Sequence, residues 1–276
     1  MPAGTSHTVV FEWNPDDFDV LLESCDRDDG VQLALKHLPK EGKILEAGSG
    51  TGRVVRYLHD RGYDIEGFEL NAAIIAQMKQ SRPDLPVFVG DVAQLPRPDG
   101  YYTGLVSYGT IEHFIKGVEA PLHEHFRVLA PGGIAVITVP SYNTLRRLKY
   151  LFDVCFRRFN PRMNNLVRRA LQHQPMRRNI QGRGGFRYHV YPQFLGFFEY
   201  RLRPREFEDA VRAAGFKILH SVPITHLDGI YHELGPPLIE FRRWKFYPTP
   251  LALWLDRVFR RIPFFHNHMH AIVATK

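Results

Sequence analysis

The residues best suited to chemistry are a glutamate, a run of alternating glycines and two later acids. Ile44-Leu45-Glu46-Ala47-Gly48-Ser49-Gly50-Thr51-Gly52 runs from an apolar stretch into a turn with glycine at every second position. Glycines let the backbone bend sharply and let a ligand approach without meeting a Cβ. A helix starting just beyond would offer unpaired N–H groups. Taken alone, such a loop is also compatible with a tight strand-to-helix turn that binds nothing. A dinucleotide loop has the spacing G-x-G-x-x-G; here Gly52 comes one position early and Arg53 and Val54 follow. Glu46 stands two residues before Gly48, a poor place for a carboxylate beside a pyrophosphate and a good one beside an ammonium and a sulfonium. Glu69 closes the next apolar run, where an acid can accept from both hydroxyls of a ribose. Asp91 follows in Val89-Gly90-Asp91-Val92, suited to accept from an exocyclic amine, and His113 lies in Ile111-Glu112-His113-Phe114.

The elements that position these residues are short and alternate. Strands are expected over Lys43–Ala47, Asp64–Leu70, Val87–Val89, Gly104–Tyr108 and Ile134–Val139, where Val, Ile and Tyr concentrate. Helices are expected over Arg53–Arg61, Ala72–Gln80 and Leu122–Leu129, the last followed by a turn at Pro131-Gly132-Gly133. This alternation implies a doubly wound, mostly parallel sheet with helices on both faces, and ligands of such sheets bind at the carboxyl ends of the strands. Later come a helix from Pro204 to Ala214, a strand at Phe216–Leu219, a helix marked by Leu251, Trp254, Leu255, Val258 and Phe259, and a last strand at Ala271–Ala274. The reading divides the chain into an N-terminal segment (1–40), a ligand-binding core (41–140), a basic aromatic cap (141–203) and a C-terminal part of the core sheet (204–276).

The loop, the Glu112-His113 pair and Arg127-Val128-Leu129-Ala130-Pro131-Gly132-Gly133 together resemble the class I S-adenosylmethionine (SAM)-dependent methyltransferases, in particular their small-molecule group. The resemblance covers Lys43–Pro140 closely and Pro204–Lys276 more loosely. It implies a seven-stranded α/β sheet with an antiparallel last strand and a helical cap inserted between strands five and six. It further implies SAM as cofactor: Glu46, Gly48 and Gly50 would line its methionine end, Glu69 would hold the ribose, and Asp91 with the Val92 backbone the adenine. Ser49, Gly52 and Ser107 complete the set of cofactor-binding candidates.

Methyl transfer from a sulfonium asks mainly for positioning, and for a general base only when the acceptor must lose a proton. His113 holds the best position for such a base, and a structural role in its turn is the alternative; His189, Tyr188, Tyr191 and His226 are further candidates. Ser107-Tyr108-Gly109-Thr110 stands where the nucleic-acid amino-methyltransferases carry Asn/Asp-Pro-Pro-aromatic. The expected reaction is therefore methyl transfer to a small or lipid-linked acceptor, with O-methylation preferred. An RNA methyltransferase, or a SAM-binding protein without turnover, is the alternative.

The charge pattern bears on partners. The formal net charge is +7. Residues 141–190 hold twelve Arg or Lys against one acid, Asp153. Leu145, Leu148, Phe152, Cys155, Phe156 and Phe159 recur at helical spacing, as do Met163, Leu166, Val167, Ala170 and Leu171, which predicts two basic amphipathic helices. Arg146, Arg147, Arg157 and Arg158 are expected to present their charge outward, to an anionic acceptor or peripherally to an anionic membrane, with nucleic acid a weaker fit. The glycines of Gln181–Gly185 could hinge a lid. Two cysteines make no disulfide framework, and the alternating His266, His268 and His270 read as a polar strand face, so no metal is expected. With no basic-then-apolar leader and no run of 18 apolar residues, the expected location is the cytoplasm.

Overall fold

The computed structural model describes residues 13–14, 17–149, 151, 177–181, 187–190, 199–235 and 237–276. They fall into two compact units: Met1–Val139 with Glu206–Val222 and Ala271–Lys276, and Pro140–Arg205 with Pro223–His270.

The first unit carries the sheet. Strands β1 (Lys43–Ala47), β2 (Asp64–Glu69), β3 (Val87–Val89), β4 (Tyr102–Tyr108), β5 (Leu129–Pro140), β9 (Lys217–Ile224) and β12 (Met269–Thr275) lie in the order β3-β2-β1-β4-β5-β12-β9. β1 pairs in parallel with both β2 and β4, Glu46 standing between Gly67 and Val106. The order therefore reverses at β1 and β4, the switch point at which sheets of this kind open a crevice. Gly132 N–H donates to Lys276 C=O at 3.1 Å and Lys276 N–H to Gly133 C=O at 3.3 Å, so β12 runs antiparallel to β5. The seven-stranded, mostly parallel α/β sheet agrees with the sequence reading.

Apolar periodicity explains the layers. Ile44, Val54, Val55, Leu58, Ile65, Val106, Val136 and Val273 are buried in one cluster between β1, its neighbours and helix α3 (Arg53–His59). Cys25, Val31 and Ala34 join it from the N-terminal helices α1 (Phe18–Ser24) and α2 (Asp29–His37) and the short turn between them. Three acids of this segment are partnered across the fold. Asp28 caps α2 through Gly30 and Val31 and pairs with Arg53 at 2.7 Å. Asp26 accepts from the Tyr57 hydroxyl at 2.8 Å, and Asp19 from Arg56 at 2.9 Å. Helices α4 (Ala72–Ser81) and α5 (Glu119–Val128) complete the expected alternation.

One local reading is corrected. Pro131-Gly132-Gly133, predicted as a turn before strand five, lies inside β5. Tyr102 opposes Leu129 and Gly104 opposes Ile134, so the extra residues bulge out of a strand that is already paired. Arg127, just before it, clamps the preceding loop: it donates to the carbonyls of Leu95 and Arg97 and pairs with Glu124 and Asp99, both at 2.7 Å.

In the second unit β6 (Arg177–Gln181), β7 (Arg187–Val190) and β8 (Glu199–Tyr200) form an antiparallel sheet, so the insertion after β5 is not purely helical. Of the proposed hinge Gln181–Gly185, Gln181 ends β6 and residues 182–185 lie outside the described residues, as do the two predicted basic helices apart from 144–149 and 151, which are helical. Helix α7 (His226–Leu234), the hairpin of β10 (Ile239–Arg242) and β11 (Lys245–Pro248), and helix α8 (Pro250–Phe259) share a small core of Ile230, Ile239 and Ala252. Between α5 and α7 the chain adds helix α6 (Pro204–Ala213). Arg146 does not face outward as predicted: it is buried and pairs with buried Glu233 at 2.5 Å, while Arg147 is exposed. A guanidinium beside a buried carboxylate recovers more of its lost hydration than the apolar surroundings alone could supply.

Candidate functional site

An open cavity of about 330 Å³ lies in the first unit at the carboxyl ends of β1 to β4. Its wall includes Glu46 and Gly48–Thr51 from β1 and its loop, Glu69 from β2, Gly90–Val92 after β3, and Tyr108–Thr110 with His113 after β4. Of the predicted site residues, Glu46, Gly48, Ser49, Gly50, Glu69, Asp91, Val92 and His113 are thus brought together.

Gly52 and Ser107 stand outside that wall. Gly52 is the N-cap of α3 with φ +66°, and a Cβ there would run into the Met78 sulfur, so its role is close packing against α4. Ser107 is fully buried within β4, in register with Ile137, while the next residue, Tyr108, reaches the cavity. Strand alternation sends neighbouring side chains to opposite faces.

The loop and the acids brace one another. Gly50, at φ +50°, has room where a Cβ would point, which would meet Trp13 Nε1 in ordinary contact at 3.9 Å. Glu69 accepts from Gly50 N–H at 2.9 Å and from Asn71 N–H at 3.0 Å, one on each oxygen. A carboxylate has about four acceptor positions, so two remain for a ligand's hydroxyls. Asp91 is set by accepting from Ala93 N–H at 2.9 Å. Glu46 accepts from Val55 N–H at 2.9 Å, which caps the first turn of α3. Burial lifts its carboxyl to about 8, although Arg53 and the Val55 N–H pull the other way.

His113 and Glu112 are both buried on a single 3-10 turn, His113 Nε2 lying 3.7 Å from Glu112 Oε1. Burial, with Asp28 and Glu46 nearby, drives the Tyr108 phenol well above its ordinary range, and its hydroxyl donates to Gly30 C=O at 3.0 Å. Tyr108 is thus a neutral wall residue. Trp13, Leu21, Arg53, Tyr108, Thr110 and Phe114 line the cavity without having been singled out from the sequence. The spacing of Phe18, Leu21, Leu22 and Cys25 is the one local signal that could have drawn the N-terminal segment into the fold.

A second cluster lies in the other unit. Asp228, His232 and His268 offer ligand atoms within 4.8 Å of one another. His232 Nε2 is 3.0 Å from Asp228 Oδ1 and its ring stacks on His268 at 4.3 Å. Burial holds the His268 imidazole down at about 3 against the pull of Asp228, with His232, Arg146 and Arg201 adding to the lowering. The Arg146 and Arg201 guanidinium groups oppose a metal ion there. In the sequence His268 stands out only by alternating with His266 and His270.

Residues 45–137 match the family described as Methyltransferase domain. Over residues 45–137 the chain carries a methyltransferase domain. A probable SAM-dependent methyltransferase of Mycolicibacterium smegmatis is 30% identical over 115 residues, which is 42% of this chain and 44% of that protein. The demethylmenaquinone methyltransferase of Beutenbergia cavernae is 32% identical over 96 residues, 34% of this chain and 39% of that protein. The matched stretch thus spans less than half the length of these curated relatives. The crystal structure of a SAM-dependent methyltransferase from Mesorhizobium loti superposes with a TM-score of 0.54 at 17% identity, covering 91% of this chain and all of that one, a likeness of fold.

The methyltransferase domain also fits SAM by its own atoms. Ser49 Oγ is buried in the cavity wall without a hydrogen-bond partner among the described residues, and a buried hydroxyl left so is costly unless a ligand satisfies it. Beside it lie the open face of Gly50 and the outward acceptor positions of Glu69.

Proposed function

We propose that the protein transfers the methyl group of SAM to a small or lipid-linked acceptor, with a hydroxyl oxygen as the preferred target. The observation that carries this is the single cavity wall shared by Glu46, Ser49, Gly50, Glu69, Asp91 and His113. SAM supplies a methyl already activated on a sulfonium. The residues then bind, orient and exclude water, and for a hydroxyl acceptor one of them takes a proton. Glu46 and the loop would hold the amino-acid end, Glu69 the ribose, and Asp91 with Val92 the adenine. A relative named for demethylmenaquinone supports a lipid-linked acceptor. We assign acceptor choice to the 141–203 segment, whose Arg, Phe and Tyr content suits an anionic or aromatic group.

The deciding experiment is calorimetry with SAM and S-adenosylhomocysteine. Both should bind, and Glu69→Ala should weaken both by about 1–3 kcal/mol, the worth of hydrogen bonds to a charged acceptor. Tight binding of NAD with none of SAM would overturn the reading.

Glu46 adds a pH dependence. Its carboxyl is raised in the fold, so its contribution to stability is full below the ordinary carboxylate range and is lost as pH rises toward about 8. A bound ammonium reverses that preference by favouring the anion. SAM binding near neutral pH should therefore release protons, read from calorimetry in two buffers of different ionisation enthalpy. Glu46→Gln should release fewer, and equal release in the two proteins would exclude this role for Glu46.

A further inference from the structure

The hairpin of β10 and β11 turns in two residues, Arg242 pairing with Lys245. The turn residues are Arg243 and Trp244, with φ of 47° and 59°. Two-residue hairpins of this geometry favour Asn-Gly, because a side chain is strained at positive φ. Here the strained positions hold a guanidinium and an indole, both exposed at the tip. Such strain persists where the displayed side chains have a use.

One residue beyond β11, helix α8 repeats the pattern. Ala252 and Asp256 face inward and are buried. Trp254 lies about 200° round the helix from each of them. Trp254 and Leu251 are each 55% exposed, and Ile262 just past the helix is 53% exposed. The helix is therefore apolar on its outer side as well as its inner one. Phe241, Tyr247 and Leu253 extend the exposed apolar surface. Between Ile239 and Ile262 there are six basic residues and two acids. One of the acids, Asp256, is turned inward to His266 at 2.8 Å and Arg260 at 2.8 Å.

We propose that the hairpin tip and the outer side of α8 form a docking surface for an anionic lipid bilayer. Tryptophan and tyrosine settle at the headgroup level, arginine and lysine are drawn to anionic lipid, and leucine and isoleucine gain only from hydrocarbon. The aliphatic groups argue against single-stranded nucleic acid, which rewards stacking and charge. The basic rim argues against a second copy of the chain, since like charges would meet. Among the described residues no helix is long and apolar enough to cross a membrane, so the contact is peripheral. Membrane docking adds to the reading of a lipid-linked acceptor but is tested apart from it, since vesicle binding is measured without SAM or acceptor.

The full chain should co-sediment with vesicles of phosphatidylcholine and phosphatidylglycerol, be released by salt, and fail to sediment with phosphatidylcholine alone. Two of the three tryptophans, Trp244 and Trp254, lie on the surface, so emission should shift to the blue on binding. Leu251→Ser with Trp254→Ser should remove sedimentation while leaving thermal melting and SAM binding unchanged. Arg243→Gln, Arg257→Gln and Arg261→Gln together should lower the partition coefficient on the order of a hundredfold. No sedimentation of the parent chain would overturn the proposal. So would parental sedimentation of either variant, or a preference for homopolymer RNA that the variants abolish. A failure of SAM binding with vesicle binding intact would strike the methyltransferase reading and leave this one standing.

Discussion

Glu233→Ala is expected to cost the second unit about 3–5 kcal/mol, the penalty for stranding buried charge. Glu233 is buried and paired with Arg146 at 2.5 Å and with Lys149 at 3.0 Å. Arg146 is itself buried and also donates to Ser141 C=O at 2.7 Å, so it has no route to water when its partner is lost. Burial alone would raise the Glu233 carboxyl; Arg146, Lys149 and Arg201 hold it at about 2 instead. A depressed carboxylate contributes stability that is present above the ordinary carboxylate range and is lost as pH falls toward that value. The parent should therefore lose stability between about pH 5 and 2 more steeply than the variant. The measurements are thermal melting against pH and hydrogen exchange across His226–Leu234. Replacing Arg146 and Lys149 with methionine in the same chain should restore much of the loss, because an apolar set of similar volume strands no charge. A melting point unchanged by Glu233→Ala would mean that the pair is solvated and the account wrong.

His113→Ala is expected to lower kcat by about a hundredfold or more while leaving SAM affinity near the parental value. The imidazole lies in the cavity wall with Glu112 on the same turn, 3.7 Å away, a separation at which charge can be felt without a tight hydrogen bond. A base acting on a hydroxyl gives kcat an acid limb, and that limb should vanish in His113→Gln. A merely structural role would instead change melting, and would leave the shape of the pH profile intact. Unchanged turnover in His113→Ala would exclude it as the base.

The central elements were legible because their causes are local. β3 and β1 have their expected bounds to the residue, since each is a short apolar run bounded by glycine, proline or charge. Glu69 and Asp91 could be placed at strand ends by the same logic. The N-terminal segment (1–40) carries no expected element because its acids find partners far along the chain: Asp28 meets Arg53, and Asp26 meets Tyr57. The hairpin passed unnoticed for a different reason, since its turn is Arg243-Trp244 and lacks the Asn-Gly that marks such a turn. Arg146 misled because a run of basic residues reads as a solvated face. Its neighbour Lys149 reaches the same Glu233 across 84 positions, and no local pattern announces that.

By itself, then, the sequence determined the class of ligand and the end of the sheet that receives it. Glycine spacing, strand ends and the place of a carboxylate two residues before a glycine are properties of neighbours in the chain, and their geometry follows from backbone sterics. The tertiary structure alone decided which side chains share the cavity, bringing Trp13 and Leu21 to the loop of β1 and turning Ser107 away from it. It also decided charge states: Glu46 is lifted to about 8 and Glu233 held at about 2, though both are glutamates in apolar company. The difference lies in burial and in partners distant along the chain, and neither exists until the fold has closed.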